Sequence, residues 1–189
     1  AVWAPDGSSI YFTSDRAPNS DYLPDDADLY RVPASGGPIE KVASIDGRIG
    51  TVSPSPDGKH LAFVGTLTGK PVRSYDQPDL FVTDATPGSQ PKNLTANYDY
   101  DVSGGIGGDQ AAPRGENRKP IVWSRNGSPR SGSSETPSPV NWSLIIVSAE
   151  KGSSNLKRVS IASGAVDPVT DGRHDIVAFS ASADASTIA

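Results

Sequence analysis

The chain has 189 residues and contains neither cysteine nor methionine. Without cysteine there is no disulfide framework, no thiolate-held metal and no cysteine nucleophile. Without methionine there is no initiator residue, so a processed or excised piece of a longer protein is the expectation. Aromatics make up 7% and hydrophobic residues 35%, a thin supply for a large core. Positive charge is in the minority: 17 Lys and Arg against 22 Asp and Glu give a net charge of −5. That balance counts against nucleic acid, because neutralising phosphates takes a concentrated basic face. The densest basic run, Arg114 to Lys119, is interrupted by Glu116. Long apolar runs are missing too; Leu144–Val147 and Ile176–Phe179 are strand-sized, so no membrane span is expected.

What is abundant is punctuation, with 19 glycines and 17 prolines. That content is too high for a helical bundle and has no collagen period. It leaves a chain dense in turns, and turns at this density mean many short strands. The punctuation is periodic. Ala1-Val-Trp-Ala-Pro-Asp-Gly7 is matched by Val52-Ser-Pro-Ser-Pro-Asp-Gly58, which sets two Asp-Gly pairs 51 residues apart. A second marker keeps the interval: Asp28-Leu-Tyr-Arg-Val-Pro-Ala-Ser-Gly-Gly37 is answered by Asp79-Leu-Phe-Val-Thr-Asp-Ala-Thr-Pro-Gly88. Val122-Trp-Ser-Arg-Asn-Gly127 and Asn155–Gly164 form a third copy with insertions, and Phe179–Ala189 opens a fourth that has lost the glycine.

Each copy reads as four strands. The first ends at Trp3 or its equivalent, and the Asp-Gly or Asn-Gly pair turns the chain because these residues tolerate positive φ. Strand two is expected at Ser9–Thr13, Leu61–Val64 and Trp142–Val147, and strand three at Leu29–Pro33, Leu80–Thr83 and Leu156–Ile161. Strand four is expected at Pro38–Val42, Pro91–Leu94 and Val166–Val169. Leu29/Arg31 and Leu156/Arg158 break strict alternation, so the pattern fixes strand position better than strand facing. Four-stranded repeats of this length are the signature of β-propeller blades. The expected fold class is therefore all-β, a propeller fragment of about three four-stranded blades plus the start of a fourth. The blades would run over about 1–50, 51–120, 121–175 and 176–189, with an inter-blade insertion at 97–119. Three blades leave faces open, so the remaining blades of a larger ring are expected partners.

At these motifs the chain resembles the WD40-like Trp-Ser-Pro-Asp-Gly propeller repeats of TolB-type proteins and of the N-terminal propeller of prolyl oligopeptidase family (S9) serine peptidases. The run Asp28–Gly37 is similar to the third strand of bacterial dipeptidyl aminopeptidase and acylaminoacyl-peptidase homologues. Asn93–Asp101 followed by Gly107–Gly115 is similar to an inter-blade insertion of that family. The resemblance implies a propeller that gates short peptide substrates for a C-terminal α/β-hydrolase domain. It also implies a bacterial cytoplasmic, periplasmic or secreted location. The alternative is a non-catalytic TolB-like propeller that mediates protein–protein interaction. No Ser here sits in Gly-x-Ser-x-Gly, so no triad is expected within the chain, and neither is a cofactor or a metal.

The residues 99–116 break the blade rhythm. Gly104, Gly105, Gly107 and Gly108 allow close backbone approach, while Asp101, Asp109, Arg114 and Glu116 supply charge. The resemblance implies that such acids hold a peptide amino terminus; a solvated loop whose acids pair with Arg114 is the other reading. Arg16 could take a substrate carboxylate in bidentate fashion or pair with Asp15. Asp21, Asp25, Asp26 and Asp28 form an acidic patch without the spacing of a calcium loop. Trp3 and Trp123 share a repeat position and are expected to pack between blades.

Overall fold

The structure is a computed structural model and describes residues 1–71, 75–106, 119–125 and 142–189. It holds three four-stranded antiparallel meanders. The first sheet orders β1 (Val2–Trp3), β2 (Ser9–Ser14), β3 (Asp28–Pro33) and β4 (Glu40–Ala43). The second orders β5 (Gly47–Pro54), β6 (His60–Leu67), β7 (Pro78–Asp84) and β8 (Lys92–Asn93). The third orders β9 (Val122–Arg125), β10 (Trp142–Glu150), β11 (Ser153–Ser160) and β12 (Val166–Pro168). Two compact units result, Ala1–Ala96 with the first two sheets and Asn97–Ala189 with the third. No helix among the described residues is long and apolar enough to cross a membrane.

The Asp-Gly hairpins show why the repeat is punctuated as it is. Only the glycine enters the left-handed region, Gly7 at φ 71° and Gly58 at φ 69°. The aspartate stays out of it and caps the turn with its carboxylate. Asp57 Oδ1 accepts from the Ser55 hydroxyl at 2.6 Å and the Lys59 N–H at 3.1 Å; Asp6 Oδ1 accepts from the Ser8 N–H at 2.9 Å. The fourth copy keeps the device without the glycine. Asp184 Oδ1 accepts from the Ser182 hydroxyl at 2.6 Å and the Ser186 N–H at 3.1 Å, and Ala185 takes the left-handed place at φ 56°. The Asn126-Gly127 turn of the third copy lies outside the described residues.

A second device repeats at the outer strands. Asp79 is the second residue of β7, and its Oδ1 accepts from the Thr95 hydroxyl at 2.7 Å. The Thr95 oxygen in turn accepts the Leu80 N–H at 2.9 Å. In the third sheet Asn155 and Thr170 do the same, with the Thr170 hydroxyl donating to Asn155 Oδ1 at 3.0 Å and accepting the Leu156 N–H at 3.0 Å. One threonine thus satisfies a strand amide and ties the fourth strand to the third. In the first sheet the equivalent acid, Asp28, pairs instead with Lys41, and its Oδ1 has no partner although it is buried.

Within the first unit the two sheets pack face to face. Tyr11, Leu29 and Val42 of the first meet Ile49, Leu61, Phe63 and Phe81 of the second. Leu29, Val42, Leu61 and Phe63 are fully buried, each contributing roughly 1.5–3 kcal/mol of burial. Phe63 and Phe81 stack at 5.2 Å. The β6 glycine beside them, Gly65, is a steric requirement: a Cβ there would lie 2.7 Å from Ile45 Cδ1 and 3.0 Å from the Phe81 ring. Leu29 and Arg31 do share one face. Arg31 is tolerated there because its Nε donates to Glu40 at 2.8 Å.

In the second unit β10 is the central strand, buried from Trp142 through Ser148. Ile145, Val147 and Leu156 carry Phe179, with Ile176 and Ile188 packed beside it. Trp123 is buried, in edge-to-face contact with Trp142 at 6.0 Å. Its repeat partner is a correction to the expected packing, since Trp3 is 57% exposed. Trp3 pairs in register with Ile10 on a two-residue edge strand, and the register sets it on the face of the first sheet that the second sheet does not cover.

Candidate functional site

Of the residues singled out in the sequence, Arg16 and Asp101 fall among the described ones, whereas Asp109, Arg114 and Glu116 lie outside them. Arg16 follows β2 and does not pair with Asp15, whose Oδ1 instead accepts the Ala17 N–H at 2.9 Å. The Arg16 guanidinium sits 5.5 Å above the Tyr30 ring. Tyr30 also stacks on Phe12 at 5.8 Å, and Lys41 Nζ approaches the same ring to 5.8 Å. Lys41 is held on Asp28, and that hydrogen bond raises its pKa against the opposing effect of burial. The uncovered face of the first sheet is therefore aromatic with cations at its rim. Binding hot spots share that chemistry.

The acidic patch disperses. Asp28 goes to Lys41 and Asp25 lies 3.7 Å from Arg48. Among the described residues no group of three or more His, Asp or Glu converges as metal ligands would.

Asp101 stands where the inserted segment first reaches the third sheet. Val102, almost fully buried, bridges Ser148 of β10, and the Ser103 N–H donates to the Val147 carbonyl at 2.8 Å. Gly104 is packed so close that a Cβ would meet Asp101 Cβ at 2.8 Å. Beyond it, Lys119 Nζ donates to the Gly104 carbonyl at 2.9 Å; burial lowers its pKa, and the Asp175 carboxylate acts the other way. Asp175 Oδ1 also accepts the Ile106 N–H at 3.4 Å.

Sequence reasoning missed the polar network at the start of this segment. The Tyr98 hydroxyl reaches Glu150 at 2.5 Å and Ser148 at 2.9 Å, and Lys157 Nζ donates to Glu150 at 2.7 Å. Burial, reinforced by Glu150, pushes the Tyr98 phenol well up. Burial works against the Glu150 charge, but hydrogen bonds from Lys157 and Tyr98 prevail and hold its pKa down. Tyr98 and Tyr100 meet edge to face at 5.5 Å. The available signal was the Tyr-Asp-Tyr-Asp run 98–101, directly before the glycines.

Among the described residues Ser55, His60 and Asp84 form a Ser/His/Asp grouping whose geometry is structural. His60 Nδ1 lies 3.1 Å from Asp84 Oδ1. Ser55 Oγ, however, accepts the His60 main-chain N–H at 2.9 Å and donates to Asp57. Ser55 is fully buried. An attacking hydroxyl needs its base at the hydroxyl proton and room for a substrate; this one is locked in a turn.

No family model matches the chain, and no curated protein does. Solved structures do. TolB from Acinetobacter baumannii is similar at a TM-score of 0.58 and 22% identity, over 99% of this chain and 35% of that one. An Agrobacterium tumefaciens protein provisionally named TolB is similar at a TM-score of 0.38 and 18% identity, over 90% of this chain and 60% of that one. This chain thus spans about a third of the length of the Acinetobacter protein. With three four-stranded meanders following one plan, it has the fold of a length of TolB-type β-propeller.

Proposed function

We propose that this chain is a non-catalytic length of propeller that works by protein–protein association, with its binding contacts on the segment between the second and third sheets. One observation carries the reading: polar side chains of the described residues that could do chemistry are used to build blades. Ser55 and Asp57 close a hairpin, Thr95 and Thr170 clasp strands, and Glu150 is shared by Tyr98 and Lys157. The contacts assigned to the partner are Asp101 with Asp109, Arg114 and Glu116. The partner is a polypeptide presenting cationic groups to the three acids, and no cofactor takes part.

A second reading keeps the chain as the substrate-gating propeller of an S9-type serine peptidase, whose α/β-hydrolase domain lies outside these residues. The residues 97–106 favour it, leaving the meander after β8 where the resemblance implies an insertion. In that reading Asp101 and its neighbours select short peptides by the amino terminus, and Arg16 takes a carboxylate.

Fluorescence anisotropy with labelled peptides separates the two. The scaffold reading expects affinity for free and acetylated amino termini to be alike, and Asp101→Arg to weaken both at least tenfold. The gating reading expects only free amino termini to bind and Asp101→Asn to erase the preference. Binding that ignores both substitutions refutes the assigned contacts. Labelling of this chain by a serine-directed phosphonofluoridate would overturn the non-catalytic reading.

A further inference from the structure

Among the described residues nine large apolar side chains are exposed, and four of them stand at the links between second and third strands of the first unit. Tyr22 and Leu23 lie between β2 and β3, Leu67 ends β6, and Tyr75 precedes β7. Scattered apolar exposure is ordinary on a protein surface. Exposure at the same link of two successive copies is not scattered.

The first link keeps its shape without a core of its own. Ser20–Tyr22 is a single 3-10 turn with no buried residue. The Tyr22 N–H donates to the Asn19 carbonyl at 2.9 Å and the Leu23 N–H to the Ser20 carbonyl at 3.2 Å. Asn19 takes the left-handed conformation at φ 66°, which asparagine tolerates. Every residue from Asp21 to Asp26 is exposed, with Tyr22 at 88% and Leu23 at 54%. A tyrosine and a leucine held outward on a turn that is already shaped lose little freedom on binding.

One stretch of chain, Asp46 to Ile49, seats both links. Arg48 lies 3.7 Å from Asp25, and the Ile49 N–H donates to the Ala27 carbonyl at 2.7 Å. Lys70 lies 3.1 Å from Asp46, and the Thr68 N–H donates to the Asp46 carbonyl at 2.8 Å. These pairs use up Arg48 and Lys70. Asp21, Asp26 and Asp76 have no ion pair among the described residues.

We propose that Tyr22, Leu23, Leu67 and Tyr75, flanked in sequence by Asp21, Asp26 and Asp76, form a docking face for a polypeptide whose apolar surface is rimmed by Lys or Arg. Charge complementarity selects the occupant. The unmatched acids repel nucleic acid and anionic lipid, and they favour amines or guanidiniums set around an apolar contact. A second copy of the chain, with its net charge of −5, is disfavoured in the same way. Tyrosine at the centre of such a contact is a residue type that carries binding energy. The face belongs to the first unit and Asp101 to the second, so it goes beyond the contacts assigned to Asp101 and stands without them.

The probe is a synthetic amphipathic helix of leucine and lysine, which sets an apolar strip between rows of amines. Titrated into the isotope-labelled full chain and followed by nuclear magnetic resonance, it should shift the amides of residues 20–26 and 67–70 and leave those of 98–106 in place. Tyr22→Ser combined with Leu23→Ser should weaken binding at least tenfold without lowering the melting temperature. Ile39→Ser, exposed outside the face, should leave binding unchanged. Asp21→Asn combined with Asp26→Asn should weaken it at least threefold, and a leucine–glutamate helix should not bind. No shift at about 1 mM peptide overturns the proposal. Binding that ignores the serine substitutions is charge attraction alone and overturns it too. A lower melting temperature of the serine variant would make the pair part of the fold, with the same consequence. Shifts produced by phosphatidylcholine vesicles would make the occupant a lipid surface and overturn the polypeptide assignment. Shifts centred on 98–106 would overturn this face and leave the Asp101 contacts standing, whereas failure of the Asp101 substitutions would leave this face untouched.

Discussion

Thr95→Val tests whether the threonine clasp holds the second sheet together. The change keeps side-chain volume and removes one oxygen at a site 1% exposed. Two hydrogen bonds go with it, the 2.7 Å donation to the Asp79 carboxylate and the 2.9 Å acceptance from the Leu80 N–H. A bond to a charged group is worth about 1.5–3 kcal/mol, and an amide left buried and unpaired costs about 1–3. The added methyl returns roughly 0.8 kcal/mol by burial, and Asp79 keeps its 2.8 Å bond from Asn93. The expected loss is about 2–4 kcal/mol. With a urea m-value near ~2 kcal/mol/M, the midpoint of the first unit should fall by about 1–2 M, followed by circular dichroism. Thr95→Ser keeps both bonds and should cost about 1 kcal/mol. A valine variant within ~0.5 kcal/mol of the parent, or no worse than the serine variant, would refute the clasp.

The other predictions follow from neighbouring devices. Thr170→Val should cost less than Thr95→Val, about 1–3 kcal/mol, because its acceptor Asn155 is neutral; urea melts of both variants give the order. Ala185→Gly should stabilise the second unit by about 1 kcal/mol, since an L-residue at φ 56° is strained where glycine is not; a destabilised variant in thermal melts refutes it. Tyr98→Phe should cost about 1–2 kcal/mol through loss of the bonds to Glu150 and Ser148. Acid should weaken the fold through groups held below their ordinary pKa, Glu150 and Asp57. Their contribution is present above the unfolded carboxylate pKa of about 4 and disappears as pH falls through the lower folded value. Glu150→Gln should flatten the stability–pH curve in that window, and an unchanged slope contradicts the assignment.

Strand positions were legible because turn chemistry is local. A glycine at φ near 70° with a capping aspartate before it recurs at the first turn of the first two sheets, and the spacing does the rest. Facing was less legible, because it depends on what lies across the sheet. Leu29 and Arg31 share a face by strand alternation, and Glu40 accommodates the guanidinium there at 2.8 Å. Trp3 and Trp123 share a repeat position yet differ in burial: Trp3 is on the face of the first sheet that the second does not cover, whereas Trp123 packs edge to face on Trp142. The clasp was hidden in plain composition: Asn93-Leu-Thr95 reads as part of an insertion. Its signal was an Asp-Leu or Asn-Leu pair followed 15 or 16 residues later by threonine. Of the candidate site, Asp101 is placed where the insertion first meets the third sheet and Arg16 over Tyr30. Asp109, Arg114 and Glu116 stand outside the described residues, so their charges remain a proposal from sequence.

The central claim is that these sheets repeat one blade plan, and amide hydrogen exchange tests it residue by residue. Leu80 and Leu156 donate to threonine hydroxyls in sheets of two separate units. One plan predicts that both amides exchange as slowly as the strand centres around them, and that Thr95→Val and Thr170→Val each release only the amide of its own sheet. Exchange of either amide at the rate of an exposed turn such as Gly36 would contradict the shared plan.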